Sequence, residues 1–234
     1  MSDGSDEMTV DPRLGQPAGA APTPTPAPDR ILLDLLLRAR ECLSSFAGPE
    51  LAHYLRRWPR DPAPRTPVAQ SLPVVRVLEE TGGESPAFST RLLAALRAAT
   101  PLLTWRQTYP VEQMGKHLAQ NYGWTEFVGP RGLVPGSEVS CGILLLGART
   151  HYPSHAHEAE EIYVPLSGRA HWQQGTGAWL LRPPGALIHH ARDVPHAMRT
   201  EDEPLIALYL WRSANLRQSA HMDQAASASA GPSP

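Results

Sequence analysis

The sequence predicts an α+β protein in which a helical N-terminal region precedes a C-terminal antiparallel β-barrel or jelly roll. In the first half of the chain, apolar residues recur at helical spacing from Asp29 onward. From Trp124 the pattern changes to short runs rich in β-branched, aromatic and leucine residues, separated by glycine and proline. Several short strands at such spacing are typical of a barrel or jelly roll.

Composition divides the chain of 234 residues into four segments. Residues 1–28 are rich in Pro, Ala, Gly and Thr, and residues 217–234 are rich in Ser, Ala, Gly and Pro, so we expect two loose tails. Residues 29–120 should form the helical region, and residues 121–216 the barrel on which it packs. The chain is long enough to bury a substantial core.

Local signals place the individual elements. Asp29 is expected to cap the first helix, and Ser85 followed by Pro86 has the pattern of an N-cap with proline at the first helical position. Helices are expected over residues 29–47, 49–58, 74–80, 86–99 and 111–119. Strands are expected over residues 124–128, 139–146, 161–166, 169–173, 178–182, 186–190 and 205–211.

Charge and cysteine content exclude several classes of protein. The 21 basic and 23 acidic residues leave a net charge of −2, and no basic stripe marks a nucleic-acid surface. Cys42 and Cys141 lie far apart, which favours buried thiols over a disulfide framework. No signal peptide and no membrane-spanning apolar run are recognisable. We therefore expect a cytoplasmic protein that contacts neither nucleic acid nor membrane.

The most informative stretch is His155-x-His157-x-x-x-Glu161, with Gly168 after it. On a strand, residues two apart point to the same side, so the two histidines can direct their imidazoles to one point. Glu161 and Tyr163 repeat that relation on the next strand. Imidazole and carboxylate suit Zn, Mn, Fe, Co or Ni, so the stretch predicts one divalent transition-metal ion whose identity stays open. A solvated loop is the alternative for an isolated histidine pair.

The spacing from His155 to Gly168 resembles the first conserved motif of the cupin superfamily. Pro183-Pro184-Gly185 and Val194-Pro195-His196-Ala197 are similar to the start and the end of its second motif. The resemblance implies a cupin barrel and makes His196 the last metal ligand. The segment before His196 is longer than in the commonest cupin pattern, so His190 is kept as the alternative ligand.

Further features surround these motifs. They are Asn121-Tyr122-Gly123-Trp124, Val128-Gly129-Pro130, Tyr152-Pro153, Tyr163, Gly168-x-Ala170-x-Trp172, Ile188-His189-His190 and Pro195-His196-Ala197-Met198. Together they resemble the cupin dimethylsulfoniopropionate lyases, and among them the DddL type, which is related to the DddQ type. The resemblance covers about residues 109–211 and includes a helical extension of similar kind. It implies a carbon–sulfur lyase that splits dimethylsulfoniopropionate into dimethyl sulfide and acrylate.

The implied chemistry is a β-elimination that starts with loss of a weakly acidic proton next to the substrate carboxylate. A divalent metal ion acting as a Lewis acid would stabilise the charge that develops on the carboxylate oxygens. A nearby cation also favours the phenolate of a tyrosine, so Tyr163 is predicted as the general base. Tyr152 is the competing candidate, or a hydroxyl that positions the substrate.

The sulfonium end of the substrate calls for aromatic faces, each of which attracts a poorly hydrated cation by roughly one or two kcal/mol. Trp211 is a candidate because it shares one strand face with Tyr209, although the sequence does not decide whether that face points inward. The predicted substrate-binding residues are Tyr122, Trp172, Trp179, Tyr209 and His190.

Two other functions are compatible with the same residues. An iron-dependent cupin dioxygenase uses the same ligand set, and a noncatalytic cupin binds a ligand as a sensor or a storage protein. No DNA-binding helix-turn-helix is recognisable, and the full ligand set disfavours storage. The expected partner is a small-molecule substrate, here dimethylsulfoniopropionate, and the cupin resemblance allows a homodimer through barrel edges.

Overall fold

The computed structural model describes residues 26–46, 48–80, 86–218 and 220–222. Helices come first, then antiparallel strands, which confirms the predicted α+β class. The helices are α1 (Pro28–Ser44), α2 (Pro49–Arg56), α3 (Val77–Glu80), α4 (Ala87–Ala99) and α5 (Val111–Asn121), with 3₁₀ turns at Pro73–Arg76 and Thr100–Leu102. The strands are β1 (Tyr122–Val128), β2 (Val139–Leu146), β3 (His151–Ala156), β4 (Glu160–Ser167), β5 (Ala170–Gln174), β6 (Leu180–Arg182), β7 (Ile188–His190), β8 (His196–Thr200), β9 (Leu205–Arg212) and β10 (His221–Met222).

Two predicted N-caps are wrong, that of α1 by two residues and that of α4 by one. Pro28 occupies the first helical position of α1, where no backbone N–H is needed, and Ala27 is the N-cap. Asp29 therefore lies in the first turn, where its carboxylate faces the positive end of the helix dipole. Pro86 is itself the N-cap of α4 because it keeps an extended ψ of 144°. Ser85 lies outside the described residues.

The strand prediction holds best where the sequence is apolar. β2 spans the predicted residues 139–146, and all of its residues are buried. β3, β8 and β10 have no counterpart among the strands that the apolar pattern predicted. For β3, only the spacing of His155 and His157 indicated a strand. β3 and β8 contain histidine, proline, serine and arginine in place of an apolar alternation, which is why the pattern did not reveal them.

The strands form two five-stranded antiparallel sheets, in the orders β1-β2-β9-β4-β7 and β10-β3-β8-β5-β6. Sequence neighbours such as β3 and β4 fall in different sheets, as in a jelly roll. Gly168 makes the turn from β4 into β5 with a φ of +72°. A Cβ there would collide with the carbonyl oxygen of Pro204, so glycine is required at this position of the motif.

The helical region packs on the outer face of the first sheet. Alternate residues of β2, such as Ile143 and Leu145, join the buried leucines of α1 and α4 in one cluster. The buried hydroxyl of Ser89 on α4 also donates to the carbonyl oxygen of Leu166 at 2.9 Å. The intervening residue of β2, Leu144, faces the second sheet and belongs to a second cluster. β2 is fully buried because it is covered on both faces.

Parts of the predicted tails differ from expectation. His221 and Met222 pair with β3, so the segment predicted as a loose C-terminal tail contributes an edge strand to the second sheet. Pairing with β3 supplies the backbone hydrogen bonds that composition alone does not reveal. Residues 1–25 and 223–234 lie outside the described part of the chain.

Cys42 and Cys141 are buried and free, as expected. Among the residues that the structure describes, no helix is both long enough and apolar enough to cross a membrane.

Candidate metal centre and active-site cavity

Three buried histidines converge between the two sheets. His155 lies on β3, His196 opens β8 directly opposite it, and His157 follows the end of β3. One ring nitrogen from each lies within 4.8 Å of the other two, a spacing that suits ligation of one metal ion. The sequence predicted this set, although His157 sits just beyond the strand on which both histidines were expected.

The second nitrogen of each ring fixes the orientation of the first. Nδ1 of His155 donates to the carbonyl oxygen of Pro153 at 2.9 Å, and Nδ1 of His196 donates to that of Val194 at 2.9 Å. Nδ1 of His157 donates to the carbonyl oxygen of Ala159 at 2.8 Å. Each ring therefore directs its Nε2 at the shared centre, as metal-ligating histidines do.

The surroundings of His196 and His155 also suit a metal ion. Within the described residues, Nε2 of His196 is buried and makes no well-formed hydrogen bond, and its polar neighbour is a carboxylate oxygen of Glu161, itself a candidate ligand, at 3.2 Å. Burial, with His196 nearby, lowers the pKa of His155 well below its usual value, so this ring is neutral and able to ligate. The residues present therefore fit a divalent metal ion.

Glu161 on β4 is the acidic member of the group. Its Oε2 lies 2.8 Å from Nε2 of His157 and 3.2 Å from Nε2 of His196. Its Oε1 accepts a hydrogen bond of 2.6 Å from the indole nitrogen of Trp211, which fixes the carboxylate in place. Burial alone would raise the pKa of Glu161, but contact with the two imidazoles holds it well below its usual value.

Two tyrosines flank the group. Tyr163, two residues after Glu161, is buried with its ring 4.8 Å from that of Trp172. Burial and the Glu161 carboxylate raise the pKa of the Tyr163 phenol well above its usual value. Tyr152 stacks on His155 at 4.2 Å and donates to the hydroxyl of Tyr122 at 3.2 Å.

A cavity of about 280 Å³ opens beside the metal group. Six residues of the predicted site line it: Tyr122, Tyr152, His155, Glu161, Tyr163 and Tyr209. Trp211 lines it as well, which shows that the face shared by Tyr209 and Trp211 points inward. The cavity thus joins metal ligands, both candidate bases and an aromatic wall in one enclosed space.

Three predicted substrate-binding residues do not line this cavity. Trp172 lies behind Tyr163, and Trp179 lies outside, with the Arg199 guanidinium 4.6 Å from its ring. His190 stacks on His196 at 4.0 Å with an interplanar angle of 11° and is not part of the three-histidine group. β7 pairs His190 with Glu161 on β4, and the His190 ring packs against the flat face of the His196 ring.

Some cavity residues were not predicted. Trp124 and Glu126 follow Tyr122 on β1 at intervals of two, so the alternation of that strand could have identified them. Thr108 precedes α5 and accepts a hydrogen bond of 3.1 Å from the Trp124 indole. No local pattern signals Thr108, Arg131 or Leu216, because only tertiary packing brings their segments to the cavity.

Comparison with known protein sequences identifies a family and two relatives. Residues 50–207 match the dimethylsulfoniopropionate lyase family, a span that begins well before the resemblance found by motif. The dimethylsulfoniopropionate lyase DddQ of Ruegeria pomeroyi is 32% identical over 155 residues, which are 64% of this chain and 74% of that protein. A candidate dimethylsulfoniopropionate lyase DddL of Cereibacter sphaeroides is 32% identical over 125 residues, 53% of this chain and 51% of that protein. The chain thus spans about half the length of this second relative.

Solved structures agree with the sequence match. A chain from the crystal structures of the lyases RdDddP and RnDddQII aligns with a TM-score of 0.76 and 32% identity, covering 85% of this chain and 100% of that chain. The crystal structure of DddQ from Ruegeria pomeroyi aligns with a TM-score of 0.75 and 25% identity, covering 83% and 96%. With the family match over more than half of its length, the chain belongs to the dimethylsulfoniopropionate lyase family.

Proposed function

We propose that this protein is a metal-dependent lyase that cleaves dimethylsulfoniopropionate into dimethyl sulfide and acrylate. The observation that carries the proposal is the single cavity in which His155, Glu161 and Tyr163 meet an aromatic wall. A substrate with a carboxylate at one end and a sulfonium at the other needs both surfaces. Family membership supports the same activity.

The metal ligands in this proposal are His155, His157, His196 and Glu161. Three imidazoles and one carboxylate suit Zn, Mn, Fe, Co or Ni. A divalent ion held there would polarise the substrate carboxylate and favour the phenolate form of Tyr163. Metal analysis of the protein as purified identifies the ion that it carries. Turnover after loading with each ion in turn identifies the ions that support the reaction.

Tyr163 is the proposed general base. Its side chain lies on the same strand face as Glu161 and lines the cavity where the substrate carboxylate would lie. The phenolate takes the proton from the carbon next to the carboxylate, and the electron pair of that C–H bond forms the C=C bond of acrylate. The C–S bond breaks with its electrons on sulfur, so dimethyl sulfide leaves neutral and needs no acid.

Tyr152 is the alternative base or a positioning hydroxyl. It already donates to the Tyr122 hydroxyl, which is itself 2.7 Å from Oγ1 of Thr108. This chain of hydroxyl groups ties Tyr152 into the cavity wall. A group fixed in this way is better suited to orient the substrate than to accept and release a proton, so Tyr163 is preferred.

A headspace assay tests the proposed activity. Purified protein loaded with each of the five metals should release dimethyl sulfide from dimethylsulfoniopropionate, and a chelator should abolish the release. Turnover should be the same under strict anaerobiosis, since β-elimination consumes no oxygen. Absence of dimethyl sulfide above a metal-free blank with every metal would reject the lyase, and strictly oxygen-dependent turnover would point to a dioxygenase.

Location and assembly stay predictions. We propose that the enzyme acts in the cytoplasm, which the two free cysteines support and which fractionation of the producing cells tests. A homodimer is proposed through a barrel edge, since strand β6, at the edge of the second sheet, exposes Leu180 and Leu181. Light scattering on the full chain distinguishes monomer from dimer.

A further inference from the structure

Glu126 is a buried carboxylate in the cavity wall, away from the metal ligands. Only 6% of its surface is exposed, yet it lines the same cavity as His155 and Tyr163. The proposed elimination requires neither a second base nor a fifth ligand from it. The presence of a buried carboxylate in the wall of this cavity therefore calls for a separate explanation.

The contacts of Glu126 fit the ionised form. One carboxylate oxygen accepts the backbone N–H of Arg131 at 2.5 Å, and the other accepts the hydroxyl of Ser140 at 3.0 Å. Burial raises the pKa of Glu126, but these two donors and the charges of Arg131 and Arg106 oppose the rise. A carboxylate that receives a donor on each oxygen is satisfied as an acceptor and has no need of a proton.

Glu126 forms no ion pair with a described residue, although Arg106 and Arg131 line the same cavity. Among the described residues, no basic side-chain nitrogen lies within ion-pair distance of it. The Arg131 guanidinium instead donates to the carbonyl oxygens of Leu216 and Arg217, at 3.3 and 3.0 Å. A buried negative charge without a contacting cation is unfavourable, and a positively charged ligand in the cavity would relieve it.

The sheet aligns Glu126 with the reaction centre. Across β1, β2, β9 and β4, the paired residues are Glu126, Gly142, Tyr209 and Tyr163. Gly142 has no side chain, which leaves room for Tyr209, whose hydroxyl would lie 2.8 Å from a Cβ at that position. Strands are spaced by about 4.8 Å, so the row runs from the proposed base to the carboxylate over three strand spacings.

Aromatic rings line the approach to Glu126. Trp124 lies on the same face of β1, and its ring is 6.3 Å from that of Tyr209 at an interplanar angle of 89°. Ring faces and a carboxylate in one pocket favour a cation with little hydration, such as a sulfonium or a quaternary ammonium group. A simple carboxylate ligand or a neutral thioether would gain nothing from Glu126.

We propose that Glu126 is the counterion for the cationic end of the substrate and makes the cavity select cationic short carboxylates over uncharged ones of the same shape. The inference rests on the proposed function, because it assumes that the substrate carboxylate lies at the metal centre. It assigns Glu126 to substrate selection and leaves the proton transfer to Tyr163.

Two competitive inhibitors of equal shape test the charge preference. 3-(Trimethylammonio)propionate carries a fixed positive charge, and 4,4-dimethylpentanoate replaces its nitrogen by carbon. Their dissociation constants for the metal-loaded full chain are measured by calorimetry, which does not require turnover. The wild-type protein should bind the cationic compound about tenfold or more tightly than the neutral one, a typical effect of a partly desolvated charge pair.

Glu126→Gln should remove most of that preference. The amide keeps the shape of the side chain and an oxygen acceptor for Arg131, so the change is mainly one of charge. Binding of the cationic inhibitor should weaken about tenfold while that of the neutral one stays the same. Glu203→Gln is the matched control, because Glu203 is an exposed carboxylate that pairs with Arg169 on the surface.

The outcomes separate the inference from the proposed function. Equal binding of both inhibitors to the wild-type protein overturns the role of Glu126 even if the variant fails to fold. Equal weakening of both inhibitors in a folded Glu126→Gln variant assigns the residue to holding the turn around Arg131 instead. Dimethyl sulfide release with no charge preference rejects only this inference, whereas a charge preference without dimethyl sulfide rejects only the lyase activity.

Discussion

Tyr163 and Tyr152 both reach the cavity, but their surroundings differ. Tyr163 lies next to Glu161 along β4, while Tyr152 stacks on His155 and donates to Tyr122. Burial raises the pKa of both phenols well above the usual value. Whichever tyrosine acts as base must therefore depend on positive charge nearby to lose its proton.

Replacing Tyr163 by Phe should lower kcat by about 10²- to 10⁴-fold, the usual contribution of a general base. Metal content should remain that of the wild type, since the imidazole ligands are unchanged. Steady-state dimethyl sulfide release, with metal analysis of the same sample, makes the measurement. Tyr54→Phe removes a hydroxyl from another buried tyrosine, on α2, and should leave kcat unchanged.

The result for Tyr152→Phe decides between the two tyrosines. If Tyr152 positions the substrate, loss of its hydroxyl should raise KM more than it lowers kcat. If Tyr152 is the base, the same loss should lower kcat with little change in KM. If Tyr152→Phe abolishes turnover and Tyr163→Phe does not, the two assignments must be exchanged.

His190, which stacks on the candidate metal ligand His196, should make the free energy of unfolding depend on pH. Burial, with His196 nearby, lowers the pKa of His190 to about 3. Since the unfolded ring titrates near pH 6.5, only the unfolded state takes up this proton as the pH falls below about 6.5. The stability associated with neutral His190 is thus present above pH 6.5 and is lost progressively down to about pH 3.

His190→Phe should flatten the dependence of unfolding free energy on pH between about 6.5 and 4, by roughly one kcal/mol per pH unit. Phenylalanine keeps a ring against His196 and removes the titrating group. Denaturant unfolding of metal-free protein at a series of pH values makes the measurement. His189→Phe, the same change at a half-exposed neighbour, is the control, and equal slopes for the two variants would contradict the assignment.

The segment after β9 covers one side of the cavity. Leu216, Gln218 and Ala220 line it, and β10 then pairs with β3, the strand that carries His155. Arg131 connects this segment to the turn after β1 through its two hydrogen bonds to backbone carbonyl oxygens. The C-terminal segment therefore forms one wall of the cavity, although its composition suggested a tail.

Arg131→Ala should loosen this covering segment. We expect faster hydrogen exchange at the backbone amides of residues 214–222 and an increase of KM of about threefold to tenfold with a smaller effect on kcat, from loss of one or two charge-assisted hydrogen bonds. Mass spectrometry of exchanged peptides and steady-state kinetics make the two measurements. Arg169→Ala, at an exposed surface pair, serves as the control. Unchanged exchange in 214–222 would show that the segment holds its place without Arg131.

The two faces of the first sheet differ: one packs against the helices, and the other lines the cavity. Its outer face is covered by α1 and α4 and shares their apolar cluster. Its inner face carries Glu126, Tyr209, Trp211 and Glu161 toward the second sheet, where His155 and His196 lie. The helices thus supply burial on one side and leave the other side free to enclose polar chemistry.

Periodicity in the sequence predicted the α+β class and the bounds of β2, and the spacing of His155 and His157 predicted that their rings converge. His196 was predicted from its similarity to the end of the second cupin motif. The family resemblance likewise rested on short motifs. Apolar periodicity did not identify β3 and β8, because strands built around polar site residues lack the alternation that identifies a strand.

Which aromatic residues line the cavity depends on how the strands pack together. Trp172 and Trp179 have the same residue type as Trp124 and Trp211, yet only Trp124 and Trp211 line the cavity. Strand pairing set that outcome, since the register of β1, β2, β9 and β4 brings Glu126 into one row with Tyr209 and Tyr163. Register depends on contacts between segments far apart in the chain, so no local pattern in the sequence contains it.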